Sequence, residues 1–325
     1  MKIIKIIIGF ILPKSIKIIL NSVKRKLNFH LKLSDQISSV IPQMICIDVG
    51  AAHYPHPKWQ LFLRSKNTNW VAVEPNKDNM NYVKEWEWPS KVTQINDGLS
   101  KDGGLQTLFV TNVDTGSSLL PPIISPSMEH RISKNNLDYF FPVKKMSIDT
   151  VTLTDLLKNF KNTLPVIIKL DTQGTELSIL EGAQELLNSN RIIGIELEST
   201  LLAEPIMNGS GKFWQVCEFL EKWGFELLDI DIITSTSHLK IKNQFNKDYL
   251  NECDALFVLR RDIAKKLSIN HRMVLLSLYS SYRFYKEVLT FLELDDELVY
   301  FLNSKGFPVK NIMVEIREKL NIVLN

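Results

Sequence analysis

The segment 165–183, PVIIKLDTQGTELSILEGA, constrains the fold of this chain more than any other. Val166 to Leu170 reads as a buried strand, and Asp171 stands at its C-terminal end. Gly174 supplies a tight turn, after which Leu177, Leu180 and Ala183 recur at the spacing of an amphipathic helix. Ligands of open α/β sheets bind outside the carboxyl ends of the strands. Asp171 therefore occupies the position of a binding or catalytic acid, although an ordinary strand-to-helix turn with a solvated aspartate has the same pattern.

The same grammar occurs earlier. Met44–Asp48 (MICID) reads as a strand and runs into Val49-Gly50-Ala51-Ala52. About twenty residues on, Trp70–Val73 is a second apolar run that ends in Glu74-Pro75-Asn76. Strand, glycine turn, helix, strand and acid is the order that places a nucleotide-like ligand over the first turn, with the second acid on the ribose hydroxyls. A third run, Val92–Ile95, ends in Asn96-Asp97-Gly98. Asp48, Glu74, Asp97 and Asp171 thus form a series of acids at strand ends.

Residues 40–260 alternate between strand and helix patterns, which implies a mostly parallel sheet. Strands are expected at 44–48, 70–74, 91–96, 105–111, 143–148, 165–170, 191–197, 225–230 and 254–260. Between them, 112–142 is rich in Ser, Pro and Asn and reads as a lid over an acceptor site, while 198–212, with NGSG at 208–211, reads as a second acceptor wall. From Asp262 the pattern is helical only, over 268–292, 295–303 and 308–323. Its aromatic residues, including Tyr279, Tyr282 and Phe291, read as core. Three segments result: 1–38 as a basic amphipathic helical segment, 39–261 as the catalytic domain and 262–325 as a helical appendage for oligomerisation or for docking a partner enzyme.

Residues 1–32 carry eight lysines and arginines and no acid. Within 14–29, Ile16, Ile19, Leu20, Val23 and Leu27 repeat at helical spacing with lysines opposite, a pattern suited to an anionic membrane surface or to packing on a protein. The run Ile6–Leu12 is shorter than the roughly 20 residues a spanning helix needs, and no small-residue cleavage site follows it. These features place the chain in the cytoplasm, with peripheral contact at the inner face of the membrane through residues 1–32. Cys46, Cys217 and Cys253 lack metal-ligand spacing and read as buried apolar residues in a reducing compartment. A formal charge of +3 gives no reason to expect nucleic acid.

Over residues 44–260 the chain resembles the FkbM family of S-adenosylmethionine-dependent methyltransferases. The matching pieces are IDVGA at 47–51, VEP at 73–75, TGSSLLPP at 115–122 and KKMSIDTVTLTDLL at 144–157. The most specific are IKLDTQGTELSILEGA at 168–183 and IGIELE at 193–198. The resemblance implies an α/β, Rossmann-like class I methyltransferase sheet with helices on both faces, between an N-terminal amphipathic helix and a C-terminal all-helical appendage. It also implies S-adenosyl-L-methionine as donor, and a glycan or glycolipid hydroxyl as acceptor, from the family's association with surface polysaccharides. On this basis Glu74 is assigned to the ribose, Asp97 to the adenine edge, and Asp48 with Gly50 and Ala51 to the methionine end. Ser117 and Ser118, after Gly116, fall in a stretch that lines the donor pocket or forms a turn.

The chain departs from the family at the first turn. The family continues DVGAN-x-G, whereas this chain reads DVGAAHYPHP at 48–57. The second glycine is absent, and the helix is expected to begin near Pro57, since proline is tolerated at a helix start and not inside one. The loop either reshapes the methionine pocket or closes it. In the second case the chain is a catalytically degenerate methyltransferase-like interaction module in glycan assembly. A nicotinamide dehydrogenase is disfavoured because no G-x-G-x-x-G follows the first strand.

An alcohol acceptor must lose its proton near the transition state, and Asp171 is the candidate general base. Its other role is to hold the turn or the donor's amino group. Glu176 reads as a first-turn helix carboxylate. Glu196 and Glu198 alternate on one strand and, with Asp171, could bind acceptor hydroxyls or a divalent metal without requiring one; no metal is predicted. His53 and His130 are loop histidines, candidate bases or surface residues.

Overall fold

The computed structural model describes residues 29–52, 54–79, 88–123, 138–234 and 250–320. The basic helix expected over 14–29 lies almost wholly outside them, as do His53 and His130. The chain forms two compact units. One is residues 41–278; the other groups the N-terminal segment with the chain from Tyr279 onward, of which 29–40 and 279–320 are described.

The first unit is built on seven strands: β1 (Met44–Val49), β2 (Thr68–Val73), β3 (Lys91–Ile95), β7 (Val166–Leu170), β8 (Ile192–Thr200), β9 (Phe225–Thr234) and β10 (Leu250–Leu259). Their order is β3-β2-β1-β7-β8-β10-β9. All neighbours are parallel except β10, which is antiparallel to β8 and β9. Every residue of β1 is buried, as expected of a strand covered by helices on both faces. Sequence order reverses between β1 and β7, with β2 and β3 on one side and β8 on the other. The ends of β1 and β7 therefore flank the crevice in which ligands of such sheets bind.

All nine expected strands form, but not in one sheet. β5 (Gly104–Thr111) and β6 (Pro142–Val151) pair antiparallel with each other, and β4 (Gly98–Leu99) adds to β6 in a separate three-stranded sheet. Burial explains the separation: the first four residues of β5 and of β6 are exposed, whereas β1 and β7 are buried almost throughout. A half-solvated antiparallel ribbon satisfies the former pattern and a doubly covered parallel strand the latter.

The helix Ile269–Ser281 carries Met273, Val274, Leu275, Leu276 and Leu278, all buried. A Cβ on Gly194 of β8 would stand 2.4 Å from Leu278 Cδ1, so glycine makes room for that leucine against the sheet. This packing carries the first unit to residue 278, beyond the boundary expected at 262. In the second unit, residues 29–40 are helical and group with the helices Tyr285–Leu294, Asp296–Ser304 and Val309–Leu320. The Phe29 and Tyr285 rings meet edge-on at 5.2 Å, and His30 Nδ1 lies 2.9 Å from the Tyr285 hydroxyl. The aromatic residues expected as core are core: Tyr279 and Phe291 are buried and meet edge-on at 5.7 Å. Among the described residues, no helix is long and apolar enough to cross a membrane.

Candidate functional site

A cavity of about 580 Å³ opens at the carboxyl ends of β1, β2 and β7. Asp48 and Gly50 line it from β1, Val73 and Glu74 from β2, Lys169 and Asp171 from β7. Leu108, Val110 and Ile148 of the three-stranded sheet close an apolar side. The volume falls within the roughly 300–1,000 Å³ range of small-molecule sites.

Gly50 makes the first turn close enough for this arrangement. Its φ is +76°, and a Cβ there would lie 1.9 Å from the backbone oxygen of Asp171. Only glycine fits both the angle and the approach. The Gly50 and Ala51 amides both donate to Val73 O, at 3.0 and 3.1 Å, which ties the turn to β2.

The second turn is organised by Glu176. This carboxylate is buried at 3% exposure and accepts from the Thr172 amide at 2.7 Å, the Thr172 hydroxyl at 2.9 Å and the Gly174 amide at 3.0 Å. Burial pushes its carboxyl up against those hydrogen bonds. Glu176 is therefore a structural clasp of the turn, a stronger role than a dipole contact. Gly174, at φ +110°, has Ser210 Oγ 2.1 Å from where a Cβ would be, so the 208–211 loop rests on this turn.

Asp171 is closely held. Its Oδ2 accepts from Lys169 Nζ at 2.9 Å and its Oδ1 from Gln173 Nε2 at 3.1 Å. Gln173 Nε2 also donates to Glu198. Burial presses the Asp171 carboxyl up, but the Lys169 charge and the hydrogen bonds from Glu198, Lys169 and Gln173 overcome it and hold the group below its ordinary value. Glu198 moves the other way, pushed well up by burial and by the charges of Asp171 and Glu252. Of this carboxyl pair, the surroundings favour the charge on Asp171 and the proton on Glu198. A carboxylate so stabilised by a lysine is a poor proton acceptor, which argues against Asp171 as the base and for an orienting role.

Glu74 has the opposite character. It is 8% exposed, accepts from the Asn76 amide at 2.8 Å, and is pushed up to about 7 by burial, with the charges of Asp114, Asp171 and Asp48 adding to the effect. A carboxylate poor in hydrogen-bond donors at a cavity wall suits a ligand that brings hydroxyl donors of its own.

Ser117 and Ser118 line the cavity and also build its wall. Ser118 Oγ donates to Gln173 O at 2.9 Å and accepts from the Leu120 amide at 3.0 Å; Ser117 Oγ accepts from the Thr111 amide at 3.2 Å. A Cβ on Gly116 would meet the Tyr139 ring at 2.4 Å, so that ring lies over the glycine, and its hydroxyl hydrogen-bonds Thr115. This stretch fastens the three-stranded sheet to the Asp171 turn. Ala51 is buried beneath the first turn, and the cavity is lined by Gly98 and Leu99 beside Asp97 and not by Asp97 itself.

The sequence reading did not single out Lys169, His56 or Asp254, all of which line the cavity. Lys169 was legible as the only charge inside an otherwise apolar strand. Its ammonium is lowered by burial, yet the charges of Asp171 and Asp48 more than reverse this and hold it above its ordinary value. The helix after the altered loop begins at Pro57, as expected, and Tyr54, Pro55, His56 and Pro57 line the cavity without filling it.

A Rossmann-like sheet in this strand order, with acids on a cavity at the ends of its first strands, defines a class I methyltransferase architecture. The chain matches the methyltransferase FkbM domain over residues 48–227. It belongs to that family, whose methyl donor is S-adenosylmethionine. No curated protein sequence matches it. Similar solved structures are distant. A precorrin-6y C5,15-methyltransferase from Geobacter metallireducens is 11% identical, with a TM-score of 0.32 over 70% of this chain and 87% of that one. A candidate tRNA (m1A22) methyltransferase from Streptococcus pneumoniae, in complex with S-adenosyl-L-methionine, is 14% identical, with a TM-score of 0.27 over 87% and 97%.

The residues present fit this donor. Gly50 lets the first turn lie against the Asp171 backbone, Glu74 presents a donor-poor carboxyl, and Asp48, Asp171 and Asp254 surround a cavity suited to a cationic sulfonium.

Proposed function

We propose that this protein transfers a methyl group from S-adenosylmethionine to a hydroxyl of a glycan or glycolipid. The observation that carries the reading is the cavity itself, open at the strand ends and lined by Asp48, Glu74 and Asp171 despite the lost glycine of the first loop. Glu74 would accept from the ribose hydroxyls, while Asp48 and the Gly50 turn hold the methionine end. The donor supplies an electrophilic methyl on sulfur; the chain's own part is to bind both reactants in line and to exclude water.

Two features support a polyhydroxylated acceptor. Tyr54 lines the cavity and is 70% exposed, which offers a face to a sugar ring. Asp171, held ionised by Lys169 and Gln173, offers a fixed acceptor for a neighbouring hydroxyl. The basic segment 1–32 would bring the enzyme to an anionic inner membrane surface, where glycolipid acceptors are presented, and the helices after 262 would serve self-association or a partner enzyme.

Calorimetric titration with S-adenosylmethionine and S-adenosylhomocysteine tests the donor site. Micromolar binding that is lost in Asp48→Ala and Glu74→Ala is the expected result. Folded wild-type protein that binds neither would favour the interaction module.

A further inference from the structure

His56 faces the donor cavity and has no role in the reading above. It sits between Pro55 and Pro57, whose rings restrict the backbone, with φ −55° and ψ 134°. Its Nδ1 is covered, makes no hydrogen bond, and stands 3.7 Å from Oε1 of Glu196 on β8, a carboxylate only 3% exposed. The side chain is nevertheless 26% exposed and lines the cavity, so its open edge is the one that carries Nε2.

We propose that His56 is the general base for the acceptor hydroxyl and that Glu196 is the positioning residue that holds its ring. This rests on the hydroxyl-methylating reading. The Nε2 lone pair takes the acceptor's O–H proton as the oxygen attacks the sulfonium methyl. The new O–CH₃ bond forms while the CH₃–S bond breaks, and its electron pair stays on sulfur to give S-adenosylhomocysteine. The imidazolium formed keeps its Nδ1–H towards Glu196 and returns its Nε2 proton to solvent after product leaves. It is the division of labour by which a buried carboxylate fixes the tautomer of a catalytic histidine.

The surroundings keep the ring neutral beforehand. Burial and the charge of Lys169 on β7 lower its basicity, with Lys58 adding to them, while Asp254 on β10 and Asp48 on β1 oppose. Glu196 on β8 stands 3.7 Å from Nδ1, longer than a hydrogen bond. The ring therefore presents a lone pair at neutral pH, whereas Asp171 has its charge engaged by Lys169.

The test has two arms, both on the full chain. In ¹⁵N-histidine spectra of protein saturated with S-adenosylhomocysteine, the resonance lost in His56→Gln should report a neutral ring protonated at Nδ1 at pH 7. Glu196→Gln should move that proton to Nε2. A wild-type ring protonated at Nε2, or cationic at pH 7, overturns the proposal. In the second arm, transfer from methyl-tritiated S-adenosylmethionine to the methyl glycosides of rhamnose, fucose and mannose is measured. His56→Gln should lose about 10²–10⁴-fold in kcat with donor Kd within about twofold of wild type; transfer at the wild-type rate overturns the proposal. If wild-type protein labels none of the glycosides, the glycan reading fails, and the imidazole spectrum still decides the pair.

Discussion

In the proposed function Glu74 couples stability to donor binding, and Glu74→Gln separates the two. Burial beside Asp114, Asp171 and Asp48 lifts this carboxyl from 4.5 to about 7 in the folded chain. Because the folded value is the raised one, the stabilisation belongs to the protonated form. It is complete below about pH 4.5 and is lost as pH rises through about 7. At about 1.4 kcal/mol per pH unit, the ionised carboxylate opposes folding by about 3 kcal/mol at pH 8. Glutamine keeps an oxygen for the Asn76 amide and never ionises. The variant is expected to gain about 2 kcal/mol over wild type between pH 5 and pH 8, which in a domain of this size raises Tm by about 5 °C. Donor binding should change in the opposite sense. Loss of the charged hydrogen bonds proposed for the ribose should weaken binding by about 1.5–3 kcal/mol, or roughly ten- to a hundredfold. Wild-type affinity should tighten about tenfold from pH 6 to pH 8 as Glu74 becomes ionised, and the variant should show no such slope. Scanning calorimetry at both pH values and titration with S-adenosylhomocysteine read these quantities. A Tm difference that is the same at pH 5 and pH 8 would refute the reasoning.

Three further substitutions probe the architecture. Gly50→Ala places a methyl against the Asp171 carbonyl and should destabilise by about 3–4 kcal/mol with loss of donor binding; Gly104→Ala, at φ +85° with no atom near its Cβ, should lower stability by only about 1 kcal/mol in urea unfolding. Glu176→Ala leaves the half-buried Thr172 and Gly174 amides without their acceptor and should lower stability by about 3 kcal/mol, while Glu176→Gln, which keeps one acceptor oxygen, should lower it by about half as much. Gly194→Val drives into Leu278 and should lower stability by about 1–3 kcal/mol with little change in S-adenosylhomocysteine affinity.

The altered first loop shows how far a local pattern carries. Pro55 and Pro57 fixed where the helix could begin, because proline excludes helical backbone before it and an amide donor at its own position. The sequence left open whether the loop would reshape the methionine pocket or close it, and nothing local indicated that His56 would stand before Glu196, which is 140 residues away in the chain. His53 was the histidine named there, since residue type alone does not show which ring faces a site.

Apolar runs and turn residues are local properties, and they determined the strands, the two strand-to-helix turns and the acids at their ends. Gly50 and Asp171 were legible for the same reason: each turn needs a particular residue at a particular place. Tertiary structure decided everything that depends on distance between segments. It placed β5 and β6 in a sheet of their own, because exposure on a finished surface, not propensity, distinguishes them from β1 and β7. It made Glu176 a clasp and Asp171 a lysine-bound carboxylate, and it raised Glu74, because burial and neighbouring charge exist only once the strands are side by side.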